Sequence, residues 1–527
     1  MTTSITSLIN PVLAISDANA ALLTFGVYCV LVMGLAVLSH RLLASRSFQA
    51  EYFLGSRNLG VWAFMFTFAA TSASAGSFAG FPALIYAHGW VLAFWIAGYM
   101  AVPLVGMGLL AKRINRMSRQ ADAITLPELM YARFGSTAIS IIATTLIVFL
   151  LTFYLVPQFK MASLILQSLM KDAPLWSECA RVLGTVTSKI AYLESEDPGK
   201  LLGLLTFSLM VIVYTSMGGF RAVVWTDVLQ GIVMFVGVLV MLGLVLYQVG
   251  GMSRATAVMS EMVPPVLCEA SFSRTDQTDS KEIQIPSESW FEFAATSDSP
   301  ARLFRINETA FVREGQKQSD LVKCVEIVSQ YERDLFASWK AEDSAVIIPA
   351  DVTAKVVNEK PYAYGAGQKG VYISAPGPSE DKDFGFLTIA VAMSFFMYWT
   401  IGGAGQPGNM VRLMAFNGTR TLKRSLALLV IYFSVIYISL VLIFCCSRLL
   451  IPGLDQTPDR IMPLLSMNIA ASAGVPWLAG LLMAAPFAAA MSTVDSFMLM
   501  ISSSLVRDVY QKGISPNVSE KTMKRLS

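Results

Sequence analysis

The chain has 527 residues, 55% of them hydrophobic and only 14% charged, with a formal net charge of +3. A water-soluble domain carries about 25% charged residues, so repeated apolar runs of about 20 residues point to a polytopic membrane protein. The small net charge gives no case for a nucleic-acid partner, and having only His40 and His88 removes most zinc and general-base chemistry.

The first apolar run, 21–40, is too long for a signal-peptide core and lacks a basic stretch before it, so it reads as a retained span. Further spans follow at 60–84, 89–111, 137–163, 200–218, 225–248, 384–408, 422–449 and 474–506. Their length and lack of period-2 alternation predict helices rather than barrel strands. Basic residues fall in every second connection: Arg41 and Arg46; Lys112, Arg113, Arg116, Arg119 and Arg133; Arg221; Arg412, Arg420, Lys423 and Arg424; then Arg507, Lys512, Lys521, Lys524 and Arg525. The positive-inside rule puts these in the cytoplasm, with the N-terminus outside and the C-terminal tail inside. The acidic connection 164–199 is then external, with a short helix expected around 185–194. The hydrophilic insert 250–383 is external too, and is either a small folded subdomain or a partly ordered loop. None of the six cysteines forms a metal-spaced cluster. Cys268 and Cys324 share the insert, which leaves a disulfide open if the insert is outside.

Three apolar spans carry small and hydroxyl residues where regular helix should fail: FAATSASAGSFAGFP at 68–82, TIGGAGQPGN at 400–409 and AAPFAAAMSTVDS at 484–496. Backbone freed at mid-depth is the pattern of ion-coupled carriers, where carbonyls and hydroxyls replace a cation's water. In span 2, Thr71, Ser72, Ser74 and Ser77 offer such hydroxyls, with close helix packing as the other reading. In span 9, Ser492 and Thr493 lie about a turn beyond Pro486, which frees a carbonyl. Asp495 is either functional or paired with a polar neighbour. In span 7, glycines and Pro407 surround Gln406, and Tyr398 and Trp399 form either an aromatic wall for a solute or an interface anchor. No paired carboxylates, activated nucleophile or phosphate loop suggests an enzyme.

These words carry a likeness. EYFLGSRNLG at 51–60, SAGSFAGFP at 74–82, TLPELMYARFG at 125–135, YTSMGGFRAVVWTDVLQG at 214–231, GQPGNMVRLMA at 405–415 and AAAMSTVDS at 488–496 together resemble the sodium:solute symporter family, within it the sodium/pantothenate and sodium/proline symporters. The resemblance implies an all-α polytopic membrane protein with a LeuT-like inverted-repeat fold: two five-helix halves preceded by one extra helix. Residues 1–249 would hold the extra helix and first repeat, 250–383 the insert, and 384–527 an incomplete second repeat of three spans with the tail. The second repeat is short by two helices, which reads as a fragment.

The resemblance further implies a sodium site formed by the carbonyls of Ala70, Ala73 and Ala489 and the hydroxyls of Ser492 and Thr493. Asp227 corresponds to an aspartate tied to sodium use, although Thr226-Asp227 also reads as a helix cap. Asp495 is a second ion-coupling candidate. Solute would sit against Ser74, Ser77, Gln158, Tyr398, Trp399 and Gln406. The expected function is sodium-driven, electrogenic uptake of a small organic solute, such as pantothenate, proline or another carboxylate, by a monomer in the plasma membrane. The rivals are a proton-coupled or sodium-independent carrier of the same fold and a solute-sensing receptor.

Overall fold

In the computed structural model the described residues are 6–42, 57–171, 173–187, 197–274, 283–295, 300–312 and 319–515, with isolated positions at 189–190, 192–193, 518 and 522–523. The first half of EYFLGSRNLG, Arg46 and most of the tail lie outside them. Among the described residues, seven helical stretches are long and apolar enough to cross a membrane, and two shorter apolar helices stand at the predicted breaks.

Helix α1 (Thr6–Leu42) leads the chain. The second span comprises α2 (Val61–Ser72), an extended Ala73 with ψ 134°, a π-helical turn Gly76–Gly80 and α3 (Phe81–His88). Gly89, with φ 75°, reverses the chain into α4 (Leu92–Pro103) and α5 (Ala111–Gln120). A reciprocal Thr125–Glu128 capping box starts α6 (Leu126–Phe134), which leads into α7 (Thr137–Met170). Where a helix was expected near 185–194, the structure has α8 (Pro174–Thr187) instead. Pro174 pre-sets the first helical turn there, ahead of the predicted start. Helix α9 (Pro198–Val249) merges two expected spans across Gly219, whose φ of 58° breaks the helix.

Beyond the insert come α12 (Ile389–Gly405), α13 (Pro407–Ala415), α14 (Thr419–Leu450), α15 (Ile461–Ser472) and α16 (Trp477–Ser503). Small residues bring the helices close. A side chain at Gly480 of α16 would overlap the backbone of Ala21 in α1. The expected third break is not there: α16 runs continuously through Pro486. A proline removes one N–H, so only the carbonyl one turn earlier loses its partner, and a fully buried helix absorbs that.

The insert departs from the all-α expectation. After α10 (Met252–Glu261) it forms β1 (Val266–Arg274), β2 (Ile283–Ile285), β3 (Trp290–Phe293), β4 (Arg302–Ile306), β5 (Ala310–Val312), β6 (Val322–Ile327), α11 (Gln330–Ala341) and β7 (Val352–Lys360). Five strands make an antiparallel sheet in the order β3-β4-β6-β1-β7, and β2 pairs with β5. Alternate residues feed two separate cores. Cys268, Ala270, Phe272, Phe304, Ile306 and Cys324 pack on one face, while Leu267, Leu303, Val325 and Ile327 meet Phe336 of α11 on the other. Of the two readings of the insert, the structure has the folded subdomain.

Candidate functional site

The site is built where α2 stops. Ala73 leaves helical geometry, and the N–H of Ala75 beyond it donates to Gln158 Oε1 at 2.7 Å. Without that partner a buried donor would be orphaned, at a cost of about 1–3 kcal/mol. The break exposes the carbonyls of Ala70 and Ala73 toward α16. Ser492 Oγ donates to Ala70 O at 2.8 Å and approaches Ala489 O at 3.1 Å; Thr493 Oγ1 donates to Ala73 O at 2.9 Å and approaches Ala489 O at 3.0 Å. All five residues are buried. Five uncharged oxygens thus converge from two helices, a donor set suited to a hard monovalent cation once the two hydroxyl protons turn away.

Beside this cradle lies a cluster of hydroxyls and aromatic rings. Tyr154 donates to Ser74 Oγ at 3.3 Å and lies within hydrogen-bond reach of Gln406; Ser77 Oγ meets the Tyr437 hydroxyl at 3.2 Å. The Tyr99 ring packs on Trp399 at 4.6 Å, Tyr437 at 5.4 Å and Phe81 at 5.0 Å. Ser74, Ser77, Gln406 and Trp399 are therefore brought together. Gln158 is spent on the broken backbone, and Tyr398 is 63% exposed, as are Met397 and Ile401 beside it on the same helix, at 52% and 59%. Tyr99, Tyr154 and Tyr437 were missed in the sequence; the only signal was a tyrosine hydroxyl in the middle of an apolar run.

Asp227 is not a helix cap. It lies within α9, where its Oδ2 accepts from Thr67 Oγ1 at 2.5 Å and from Arg412 Nη2 at 3.1 Å. Arg412, read from the sequence as a cytoplasmic loop residue, is 1% exposed. Its guanidinium also donates to Thr67 O, Gly408 O and Ser496 Oγ, the last at 2.6 Å. Ser496 Oγ in turn reaches Ser492 O at 2.7 Å, so the ion pair is one hydroxyl away from the cradle. A narrow crevice lined by Phe220, Arg412, Ser496 and Ser503 opens beneath it. Asp495 turns elsewhere: its Oδ1 accepts from Thr215 Oγ1 at 2.8 Å. Asn409, also missed, joins the two broken spans by accepting from Ser72 Oγ at 2.9 Å and donating to Gly403 O at 2.9 Å.

The fold defines a multi-pass helical membrane transporter, with five buried oxygens converging where the broken second span meets α16. The sodium:solute symporter family model matches residues 52–172, 201–291 and 377–527, more than half of the chain, and the chain belongs to that family. Sodium is accordingly its coupling ion, and its relatives are transporters rather than enzymes. The sodium/pantothenate symporter of Haemophilus influenzae is 26% identical over 488 residues, covering 92% of this chain and 71% of that protein. The Escherichia coli sodium/pantothenate symporter is 32% identical over 242 residues, covering 46% of this chain and 44% of the other. The sodium/proline symporter of Haemophilus influenzae is 22% identical over 518 residues, covering 96% and 74%. The solved outward-open, substrate-bound state of a Na+-coupled sialic acid symporter has a TM-score of 0.54 and 17% identity, covering 96% of this chain and 77% of that one, a likeness of fold.

Proposed function

We propose that the cradle of Ala70, Ala73, Ala489, Ser492 and Thr493 binds the coupling sodium ion and that a small organic solute binds beside it, against Ser74, Ser77, Gln406 and the rings of Tyr99, Tyr154, Tyr437 and Trp399. The observation that carries this reading is the convergence of the five oxygens on two helices that meet nowhere in sequence. Sodium in the cradle ties α2 to α16 and thereby holds Ser74, the residue after the bend at Ala73, in place for the solute. Linkage makes the effect mutual, so the solute must tighten sodium by the same factor. A membrane potential of about 100 mV adds roughly 2.3 kcal/mol per charge carried inward, so uptake of a neutral solute is electrogenic.

The pocket's hydroxyls and aromatic walls suit a compact polar metabolite. Pantothenate and proline, named by the relatives, are the first candidates. Asp227 keeps its own cation in Arg412, and the pair is read as the inner seal between cradle and crevice. Asp495 is read as a structural partner of Thr215. The finer architecture is taken as a LeuT-like arrangement with α1 as the extra helix, the insert outside, the tail in the cytoplasm, and a monomer in the plasma membrane.

Uptake of labelled pantothenate and proline into proteoliposomes, in sodium and with sodium replaced by potassium, tests this reading. One of the two solutes should accumulate only with sodium. In Ser492→Ala and Thr493→Ala the half-saturating sodium concentration should rise while the solute's own half-saturation at saturating sodium changes little. Unchanged sodium dependence in both variants would refute the cradle.

A further inference from the structure

The family model leaves 292–376 unmatched between its second and third segments, and this stretch is most of the folded insert. The insert holds two edges of the outer surface at once. On one side it grips the loop after α14. Arg305 donates to Pro452 O, Asn307 Nδ2 to Gly453 O at 2.7 Å, and Glu288 Oε1 pairs with Arg460 Nη2 at 2.8 Å. Gln456 Nε2 of the loop donates to the carbonyls of Cys268 and Cys324 at 2.9 and 2.6 Å. On the other side, the limb that follows β7 grips the outer end of α3. Trp90 N donates to Tyr372 O at 2.9 Å, His88 Nδ1 donates to Pro378 O at 2.8 Å, and the Phe386 ring stacks on His88 at 3.5 Å. Gly89 has no room for a side chain against Tyr372.

Arg448, buried at the end of α14, is the pin between the two grips. It pairs with Glu332 of α11 at 3.4 Å and with Asp455 of the loop, and it lies over the rings of Tyr86 at 4.6 Å and Tyr372 at 4.5 Å. Tyr86 of α3 completes the closure by donating to Ile451 O at 2.9 Å and accepting from Leu454 N at 3.0 Å. Ser77 and Phe81 lie directly below on the same broken span, with α15 packed against α3.

We infer that the insert is an outer gate: its two arms hold the end of α3 and the loop 451–460 together above the solute pocket, and their release opens that pocket to the outside. This rests on the pocket proposed above. The polar groups are committed to holding the edges together rather than to binding solute, because apart from Arg448–Asp455 each named contact joins segments far apart in the chain.

The test uses the full chain in proteoliposomes. The background carries Cys179→Ser, which removes the exposed native thiol among the described cysteines, and Phe81→Cys as reporter beneath the gate. Labelling by a membrane-impermeant maleimide should rise at least about fivefold in Glu332→Ala, which removes the carboxyl's contact with Arg448 altogether, and in Tyr86→Phe, since each loses one hydrogen bond or more. Unchanged labelling in both variants would overturn the gate. Solute protection of the same cysteine reports separately on the pocket: variants that change labelling without solute protection leave the gate standing and remove the pocket.

A separate observation bears on how the gate is held rigid. Cys268 and Cys324 face each other across β1 and β6 in direct register, both buried, with their sulfurs 2.7 Å apart. Directly opposed cross-strand residues have Cα separations within the range a disulfide requires. We propose that these two thiols are oxidised to a disulfide by a protein disulfide donor outside the cell: the two S–H bonds break, one S–S bond forms, and the donor's disulfide takes up both protons and electrons as two thiols. Peptide mapping of the full chain, alkylated without reductant, should recover the Cys268 and Cys324 peptides joined. Recovery of both peptides separately alkylated would overturn the proposal. Labelling of native Cys179 from outside intact cells checks the placement of that face independently.

Discussion

The cradle and the pin at Arg448 are both buried polar clusters, yet they are made from opposite materials. The cradle has three carbonyls and two hydroxyls and no formal charge of its own. The pin has a guanidinium, two carboxylates and two aromatic rings. Neutral dipoles can hold a cation and let it go, because the site without the ion closes on itself through the same hydroxyls. A buried guanidinium shared by two acids has no comparable empty state, since losing a partner leaves a charge uncompensated. On the proposed reading, the difference separates an element made to exchange its occupant from an element made to fasten. The Asp227–Arg412 pair is of the second kind, although it lies one hydroxyl from the first.

The sharpest way to break the comparison is at Arg412. Arg412→Gln should strand Asp227 and cost about 3–5 kcal/mol, seen as loss of folded, monodisperse protein in detergent. Asp227→Asn combined with Arg412→Gln should recover most of it. A single variant as stable as the parent would show that the pair fastens nothing. Next in size is the cradle. Each lost hydroxyl of Ser492 or Thr493 should remove about 1–2 kcal/mol of sodium binding, roughly a 5- to 30-fold rise in half-saturating sodium, and should also lower the melting temperature without sodium, because each hydroxyl closes the empty site on a buried carbonyl. Gln158→Leu, which orphans Ala75 N, should cost about 1–3 kcal/mol of stability in a thermal melt without sodium.

The smallest effect expected is on pH. Burial pushes the Glu332 carboxyl up to about 7, against the opposing pull of Arg448. Asp455, Arg305, Tyr86, Tyr331 and Tyr372 also face this cluster. A carboxyl that holds its proton more tightly when docked favours docking at acid pH. That contribution is complete below the ordinary glutamate value of about 4.3, and it falls as pH rises toward 7. Labelling of Phe81→Cys, normalised to a free thiol at the same pH because maleimide reacts with the thiolate, should therefore increase from pH 5.5 to about 7 and be flat in Glu332→Gln. An increase that persists in Glu332→Gln would assign the titration to another group.

Much of this was legible in the chain. The apolar runs marked the membrane helices, the Ala-Thr-Ser-Ala-Ser stretch at 70–74 marked the break in the second span, and Ser492 and Thr493 stood out as paired hydroxyls in an alanine run. The insert was harder to read. Its strands are short, two of them only three residues long, and arginines at 302 and 305 interrupt the alternation that marks a strand. Arg412 was hidden because a basic residue beyond an apolar run reads as a cytoplasmic anchor; its acid lies 185 residues away. The role of Gln158 was out of reach for a similar reason, since an unpaired N–H exists only once the second span has broken. Arg448, Glu332 and Asp455 likewise come together only in three dimensions.

The central claim is that an ion sits among five neutral oxygens where α2 and α16 meet. Equilibrium binding of radioactive sodium to the purified chain, compared with the variant carrying both Ser492→Ala and Thr493→Ala, tests it directly. The parent should bind sodium saturably and the double variant should show no saturable binding over the same range. Equal binding at equal half-saturation in the two would contradict the account.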